Sequence, residues 1–196
     1  MKPFCTCFIL LLAVSIASAG LVSSGIQNVP IPQNFGGVYL RIDNGAITDS
    51  YPLDWDSAPW INPFFGGVGI GTSPLLRPII TDSNQILRLD AGMVIGPGSS
   101  FAPGENGSFT HAGPGAGQFQ LGVPGRIGVV FESISGGPSH YGWVDVEIQN
   151  ATAGNIRSWG FNDVPGESVG VPEPSAALFG LASGVVVFVL RQRRCI

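Results

Sequence analysis

The sequence predicts an all-β protein: a β-sandwich or jelly-roll-like exported domain, followed by a single C-terminal transmembrane helix. Short runs with strand character recur between turn signals, and no amphipathic helix of three turns is evident. The chain has 29 glycines and 16 prolines among 196 residues, which favours frequent turns. Short strands separated by such turns are typical of sandwiches and barrels. An uncharged run near the C-terminus predicts the single helix.

Six segments have the composition of strands, with β-branched or aromatic residues bounded by glycine, proline or asparagine. They are residues 37–43, 85–95, 118–123, 125–134, 141–149 and 155–162. Asn44-Gly45 predicts a tight turn after the first segment. Gly136-Gly137-Pro138 predicts a hairpin between the fourth and fifth segments.

Alternation is clearest in 141–149. It places one set of residues on the core face, namely Gly142, Val144, Val146 and Ile148. Trp143 lies on the opposite face, where we expect it to be partly exposed or to cover the edge of the sandwich.

The first nineteen residues have the pattern of a secretory signal peptide. Lys2 precedes the apolar stretch 8–14, and Ala17-Ser18-Ala19 provides a cleavage site before Gly20. The exported portion then contains no cysteine, because Cys5 and Cys7 lie in the leader and Cys195 lies at the other end. We therefore expect neither disulfide bonds nor thiolate chemistry in it.

Residues 175–190 carry no charge and are followed by Arg191, Arg193 and Arg194. As a helix the run would span roughly 24 Å, shorter than the ~30 Å hydrocarbon core but within reach of local thinning. The positive-inside rule places the basic tail, 191–196, in the cytoplasm. The predicted organisation is a signal peptide at 1–19, a β-sandwich domain at 20–163, a spacer at 164–171 and a terminal signal at 172–196.

Pro172-Glu173-Pro174, the apolar span and the arginine-rich end resemble the PEP-CTERM sorting signal of exopolysaccharide-producing Gram-negative bacteria. The resemblance implies that exosortase processes the chain at this motif, after export by Sec and signal peptidase. It also implies a single-pass protein in transit through the inner membrane with a cytoplasmic C-terminus. Its destination would be the cell surface or the extracellular matrix.

The preceding residues are similar to a planctomycete and verrucomicrobial subset of that family. The similarity lies in Tyr-Gly-Trp-Val at 141–144, the aromatic segment 156–161, and Pro-Gly-Glu-Ser at 165–168. It implies no catalytic residues.

The charge excludes some partners. The whole chain has a formal charge of −4; without Lys2 and the three tail arginines, five arginines face thirteen acids, giving −8. Such a domain is not expected to bind nucleic acid or anionic lipid surfaces electrostatically.

No arrangement of residues predicts catalysis. His111 and His140 stand in separate glycine-rich segments and are expected to be structural or solvated. Residues 66–71 lack the spacing and basic residue of a phosphate loop, and predict a glycine-rich bulge or strand. Paired carboxylates among Glu132, Asp145 and Glu147 keep a β-sandwich hydrolase as an alternative.

Two binding hypotheses remain. Trp55, Trp60 and Trp143 could stack on sugar rings, although core packing is the ordinary role of a large aromatic residue. Asp54 and Asp56 are calcium candidates, but the third acid, glycine and glutamate of an EF-type loop are missing. We predict no other cofactor.

Together these patterns predict a non-enzymatic, exported protein of the envelope and exopolysaccharide matrix with a structural or adhesive role. The alternative is a carbohydrate-binding module of the matrix, and the third hypothesis is the hydrolase.

Overall fold

The computed structural model describes residues 20–81, 85–103, 107–110, 119–150 and 153–172. The side chains of 107–110 and Asn150 are not part of that description. Strands dominate, and the helical elements of these ranges are two short 3₁₀ turns, Trp55–Ser57 and Phe65–Gly67. The prediction of an all-β fold is confirmed.

Most strands are short. In chain order they are β1 Leu21–Ser23, β2 Val29–Ile31, β3 Tyr39–Arg41, β4 Ile47–Thr48, β5 Trp60–Phe64, β6 Gly69–Thr72, β7 Leu76–Pro78, β8 Arg88–Leu89, β9 Val94–Ile95, β10 Gly107–Thr110, β11 Gly125–Glu132, β12 Ser139–Asn150, β13 Ala153–Asn162 and β14 Val169–Gly170.

The strands form a larger sheet, a smaller sheet and a two-stranded pair. The larger sheet has the order β1-β13-β12-β11-β7, with β2 also paired to β13 and β8 to β11. The smaller sheet has the order β10-β6-β5-β3-β4, and β14 pairs with β9. All of these pairings are antiparallel.

Both predicted turns are confirmed. β11 and β12 form a hairpin that closes at Glu132 opposite Ser139, and Gly136 in its turn has a φ of 74°. Between β3 and β4, Gly45 has a φ of 75°, which glycine adopts without the steric cost of a Cβ atom. The Asn44 side chain accepts a hydrogen bond of 2.9 Å from the Ala46 amide.

One apolar core joins the two larger sheets. Its fully buried members come from β3, β5 and β6 of the smaller sheet and from β11, β12 and β13 of the larger one; they include Leu40, Ile61, Ile70, Ile127, Val129, Val144, Val146, Ile148 and Ile156. The predicted inward face of β12 is thus confirmed for its valines and isoleucine. We call the opposite side of each sheet its outer face.

The larger sheet is also covered on its outer face. Tyr141 and Trp143 project there from β12 and are only 7% and 3% exposed. A second apolar cluster covers them, formed with Ile79, Leu89, Ile95, Val130, Val169 and Val171. The separate pair of β9 and β14, with the adjoining Val171, therefore acts as a third layer.

The predicted spacer differs from the structure. The Val171 amide donates a 2.9 Å hydrogen bond to the Met93 carbonyl, and the Gly92 amide donates one of 3.0 Å to the Val171 carbonyl. Val171 is 3% exposed. Because this residue pairs and packs like a strand residue, the folded domain continues through Val171 rather than ending at 163.

Some predicted strands also differ. Segment 85–95 contains only β8 and β9, separated by a turn, and the described part of 118–123 forms bends and turns. β5 has no counterpart among the predicted strands, because Asn62 and Pro63 interrupt its pattern. β6 overlaps residues 66–71, for which the sequence predicts only a glycine-rich bulge or strand. Pro63 still takes part in the pairing as an acceptor, because its carbonyl accepts a 3.0 Å hydrogen bond from the Val38 amide, although proline has no N–H to return one.

In the described ranges no helix has the length and apolar character needed to span a membrane. The predicted signal peptide and the predicted transmembrane segment 175–190 lie outside those ranges.

Candidate functional site

An aromatic cluster occupies one end of the smaller sheet's outer face. It consists of Tyr39, Tyr51, Trp55 and Trp60, and we call it the Tyr51–Trp55 surface. Leu40 of β3 is completely buried in the core, so alternation directs Tyr39 and its next-but-one neighbour Arg41 outward. Trp60 begins β5 and directly opposes Arg41.

The rings are held by mutual contacts. Tyr39 meets Tyr51 and Trp55 nearly edge-on, with centroid distances of 5.9 and 5.6 Å and interplanar angles of 80° and 89°. Tyr51 and Trp55 lie 5.5 Å apart at 36°. Such offset and edge-to-face arrangements are the favoured geometries of aromatic pairs. The cluster therefore presents fixed ring faces.

The exposed fraction of the side chains rises from the base of this surface to its rim. Trp60 and Tyr39 are 5% and 7% exposed, Trp55 is partly buried, and Tyr51 is 62% exposed. Leu53 is fully exposed between Tyr51 and Trp55 in the chain. Burial, followed by the proximity of Tyr51, raises the pKa of Tyr39. Tyr39 is thus a neutral phenol at physiological pH.

An ionic network fixes the base of the Tyr51–Trp55 surface. Asp54 accepts a 3.0 Å hydrogen bond from Trp60 Nε1 through Oδ1 and a 2.9 Å bond from Arg41 Nη1 through Oδ2. Arg41 also donates through Nε and Nη2 to both carboxylate oxygens of Asp43, at 2.7 and 3.0 Å. The hydrogen bond to Asp43 is the main cause that raises the pKa of Arg41. A bidentate pair of this kind restricts both side chains.

The two calcium candidates, Asp54 and Asp56, have different environments. Both carboxylate oxygens of Asp54 accept hydrogen bonds, whereas Asp56 is exposed on the 3₁₀ turn. Across the described ranges, no three side chains of the His, Cys, Asp and Glu types come together as a metal-binding group.

The structure brings together two of the three predicted stacking residues. Trp55 and Trp60 belong to the Tyr51–Trp55 surface, with Trp55 the more exposed. Trp143 lies on the covered outer face of the other sheet and is 3% exposed, so it has no free ring face for a sugar. The stacking hypothesis is corrected at Trp143, and Trp60 serves as buried support.

Sequence reasoning missed Tyr51, Tyr39 and Arg41. The alternation of 38–43 contained a usable signal, since it directs Tyr39 and Arg41 away from the core. No local pattern indicated Tyr51, whose neighbours are turn residues.

His140 has a structural environment. Its Nδ1 lies 3.1 Å from the Asn162 carbonyl oxygen, and its ring stacks on Phe131 at a centroid distance of 5.5 Å. His111 lies outside the described residues. The glycine-rich residues 66–71 form the end of a 3₁₀ turn and the start of β6, as predicted for a bulge or strand.

The three acids considered for hydrolysis do not share a cleft. Glu132 lines a cavity of about 390 Å³ with Arg77 and Ser139, and its Oε2 accepts a 2.9 Å hydrogen bond from Gly136. Asp145 and Glu147 are not among the residues lining that cavity.

Asp145 is buried on β12 opposite Arg126, and Glu147 pairs with Arg157 at 3.2 Å. Burial raises the pKa of Asp145, against the lowering influence of Arg126 and Arg157. Glu132 lies at the other end of the β11–β12 hairpin from Asp145, and no hydrogen-bond partner of Asp145 Oδ1 is found among the described residues.

Most residues of the sorting hypothesis lie outside the described ranges. Pro172 is its last residue and is partly buried. Ala17, Ala19, Glu173, Pro174, Arg191, Arg193 and Arg194 are beyond it.

No protein-family model matches the chain, and no curated protein sequence or solved structure is significantly similar to it.

Proposed function

We propose that this protein is an exported adhesin of the envelope and exopolysaccharide matrix that binds carbohydrate through its Tyr51–Trp55 surface. The observation that carries the proposal is the tilted pair of the exposed Tyr51 and the partly buried Trp55, beside the Asp54–Arg41 network. We propose that the fold that carries this surface is a β-sandwich, with the two larger sheets as its layers.

Sugar rings suit such a surface. Their C–H faces pack against aromatic rings, while their hydroxyls need hydrogen-bond partners at the rim. The exposed part of Asp54 and the phenol of Tyr51 offer such groups beside the rings. Because the rings are already fixed by each other, little side-chain entropy is lost on binding.

The proposal includes sorting of the chain through its two ends. We propose a signal peptide at 1–19, processing at Pro172–Pro174 and a transmembrane helix at 175–190. In support, the two terminal segments carry the leader pattern, the Pro-Glu-Pro motif and the uncharged run followed by arginines. The partners would be Sec, signal peptidase and exosortase, with passage through the inner membrane to the cell surface or matrix.

Sorting is tested by expressing the full-length chain in an exosortase-positive host and in its exosortase knockout. Intact masses are then measured in membrane and extracellular fractions. We expect loss of residues 175–196, or an added group near Pro174, only in the positive host. An uncut membrane-bound chain in both hosts would mean that the tail is a plain anchor.

Binding is tested with the purified full-length chain by affinity electrophoresis through gels that contain soluble β-glucan, mannan or galactan. We expect retardation in at least one gel and its loss in Tyr51→Ala and Trp55→Ala, because both remove a ring face. Ile134→Ala is the control, since Ile134 is 67% exposed on the distant β11–β12 turn.

Retardation that survives both aromatic substitutions would reject the Tyr51–Trp55 surface as the binding site. Because Trp55 also packs on the cluster, the binding result of Trp55→Ala is used only if its circular dichroism spectrum matches that of the parent. Tyr51→Ala is not expected to change the fold, because that ring is mostly exposed.

A further inference from the structure

The chain is held to the folded domain immediately before the Pro-Glu-Pro motif. β14 pairs with β9, and the Val171 amide that follows it donates a 2.9 Å hydrogen bond to the Met93 carbonyl. Val169 and Val171 are 5% and 3% exposed, whereas Gly170 between them faces solvent. The segment therefore docks through alternate side chains, as a strand does. We call residues 168–172 the terminal strap.

The terminal strap covers aromatic residues of the larger sheet. Val169 and Val171 belong to one buried cluster with Tyr141 and Trp143 of β12. Release of the strap would return this apolar area to water, so burial of the area favours the docked position. The docked strap is thus the stable arrangement of the folded domain.

The attachment of the terminal strap is local. β9 and β14 have two residues each, and among the described strands they pair only with each other. Upstream of the strap, residues 163–167 are exposed, and Gly166 has a φ of 76°. A pair of this size is marginally stable by itself, and such elements open at a lower free energy than core strands. We therefore expect the strap to open while the two larger sheets stay folded.

The proposed processing motif begins on the strap itself. Pro172 is partly buried and directly follows Val171, whose carbonyl accepts a 3.0 Å hydrogen bond from the Gly92 amide. Proteases prefer exposed backbone that is free of such bonds. While Val171 is docked, the residues on the N-terminal side of the motif are not free to enter an active site. The rate of cleavage should then follow the population of the opened strap.

We propose that the terminal strap controls processing: the Pro-Glu-Pro motif is protected while the strap is docked and becomes a substrate when the strap is released. The inference rests on the proposed sorting function and adds its regulation. Processing breaks one peptide bond at the motif, transfers the acyl group to water or to an acceptor amine, and releases the tail with a free amino group. The strap takes no part in that chemistry and determines only when the bond is accessible.

A disulfide between β9 and β14 tests the proposal directly. Val94 and Gly170 are opposite each other in the antiparallel pair, and both are exposed. Opposite residues in such pairs have Cα atoms about 4.5–5.5 Å apart, a separation that a disulfide spans. An added Cβ at Gly170 meets no atom within 4 Å. The double variant Val94→Cys/Gly170→Cys therefore closes the strap without replacing a buried residue.

The measurement is the rate of processing of the full-length chain in the exosortase-positive host, followed by intact mass with and without a dithiol reductant. Masses after thiol alkylation show whether the disulfide has closed. We expect the oxidised double variant to be processed at least about tenfold more slowly than the parent, and the reductant to restore the parent's rate. Val94→Cys and Gly170→Cys alone are the matched controls and should follow the parent.

Ile95→Ala shifts the strap in the other direction. Ile95 is completely buried opposite Val169, but it belongs to β9, so the substitution loosens the docking without changing the segment that is processed. Processing should become several-fold faster. Ile127→Ala is the comparison, because Ile127 is equally buried but lies in the core between the two larger sheets. The folded Ile127→Ala chain should be processed at about the parent's rate.

Three results would overturn the strap proposal alone. The first is processing of the oxidised double variant at the parent's rate. The second is an unchanged rate in Ile95→Ala, and the third is equal acceleration by Ile95→Ala and Ile127→Ala. Failure of the parent itself to be processed in the exosortase-positive host would instead overturn the sorting function on which the proposal rests.

Discussion

The outer faces of the two sheets both carry buried aromatic residues, but the segments that cover them differ. On the larger sheet, Tyr141 and Trp143 alternate with core residues and lie under a third layer that includes Ile95 and Val171. On the smaller sheet, Tyr39 and Trp60 occupy the equivalent alternate positions, yet the neighbouring Tyr51 stays 62% exposed. The outward strand aromatics of both sheets are therefore buried, whereas the Tyr51 ring of the segment that covers the smaller sheet remains in solvent.

The covering segments explain the difference. The larger sheet is covered by the stretch between β7 and β9 and by β14, each of which contributes buried aliphatic side chains. Over the smaller sheet, the segment between β4 and β5 contributes Trp55 as a partly buried ring and leaves Leu53 in solvent. Apolar area buried on one face stabilises the fold, whereas area left exposed on the other is free for a ligand.

The largest effect is expected for Trp143→Ala on the covered face. Removing a ring that is 3% exposed should lower the free energy of unfolding by about 3–5 kcal/mol, through lost burial and the cavity left behind. Chemical denaturation of the full-length chain measures it. A loss below about 1 kcal/mol would mean that the third layer is not packed on this sheet in solution.

Val171→Ala tests whether the domain continues to the residue before the Pro-Glu-Pro motif. Deleting two buried carbon groups should cost about 2 kcal/mol, because Val171 is packed with the covered face. Val164→Ala is the comparison, since Val164 lies in the same predicted spacer but is 36% exposed. Equal and negligible effects of the two substitutions would support a free spacer.

Asp145→Asn should have a smaller effect that depends on pH. Burial raises the pKa of Asp145, so the folded chain keeps this proton at pH values where the unfolded chain has lost it. The contribution of Asp145 to stability is therefore fully present below the ordinary pKa of aspartate, and it falls as pH rises towards the raised pKa.

The asparagine variant lacks this loss, so its stability relative to the parent should be greater at pH 7 than at pH 3. Denaturation curves at both values measure the difference. The reverse trend would show that Arg126 and Arg157 outweigh the burial and lower the pKa instead.

The smallest stability effect is expected for Tyr51→Ala on the open face. Its ring is mostly in solvent, so the free energy of unfolding should change by less than about 0.5 kcal/mol. Chemical denaturation of Tyr51→Ala and Trp143→Ala compares directly how much an aromatic ring on each face contributes to the free energy of unfolding. A large loss at Tyr51 would show that this surface is structural.

Local patterns predicted the regular half of the fold. Alternation in β12 identified its core face, and turn residues identified the β3–β4 and β11–β12 hairpins, because period and turn chemistry are properties of adjacent residues. The same reasoning missed β5 and left β6 between a bulge and a strand, because their proline, asparagine and glycines oppose strand formation locally. Pairing on both sides and burial of Ile61 and Ile70 overrode those preferences.

By itself, the sequence determined the all-β class, the inward valines of β12 and the candidacy of Trp55 and Trp60 as stacking residues. Only the tertiary structure decided that Trp143 is buried and that Tyr51, Trp55, Asp54 and Arg41 meet. Asp54 and Arg41 are thirteen residues apart in the chain, and Val171 pairs with the distant Met93. Which outward residue is covered depends on such non-local contacts, and no periodicity within one strand contains them.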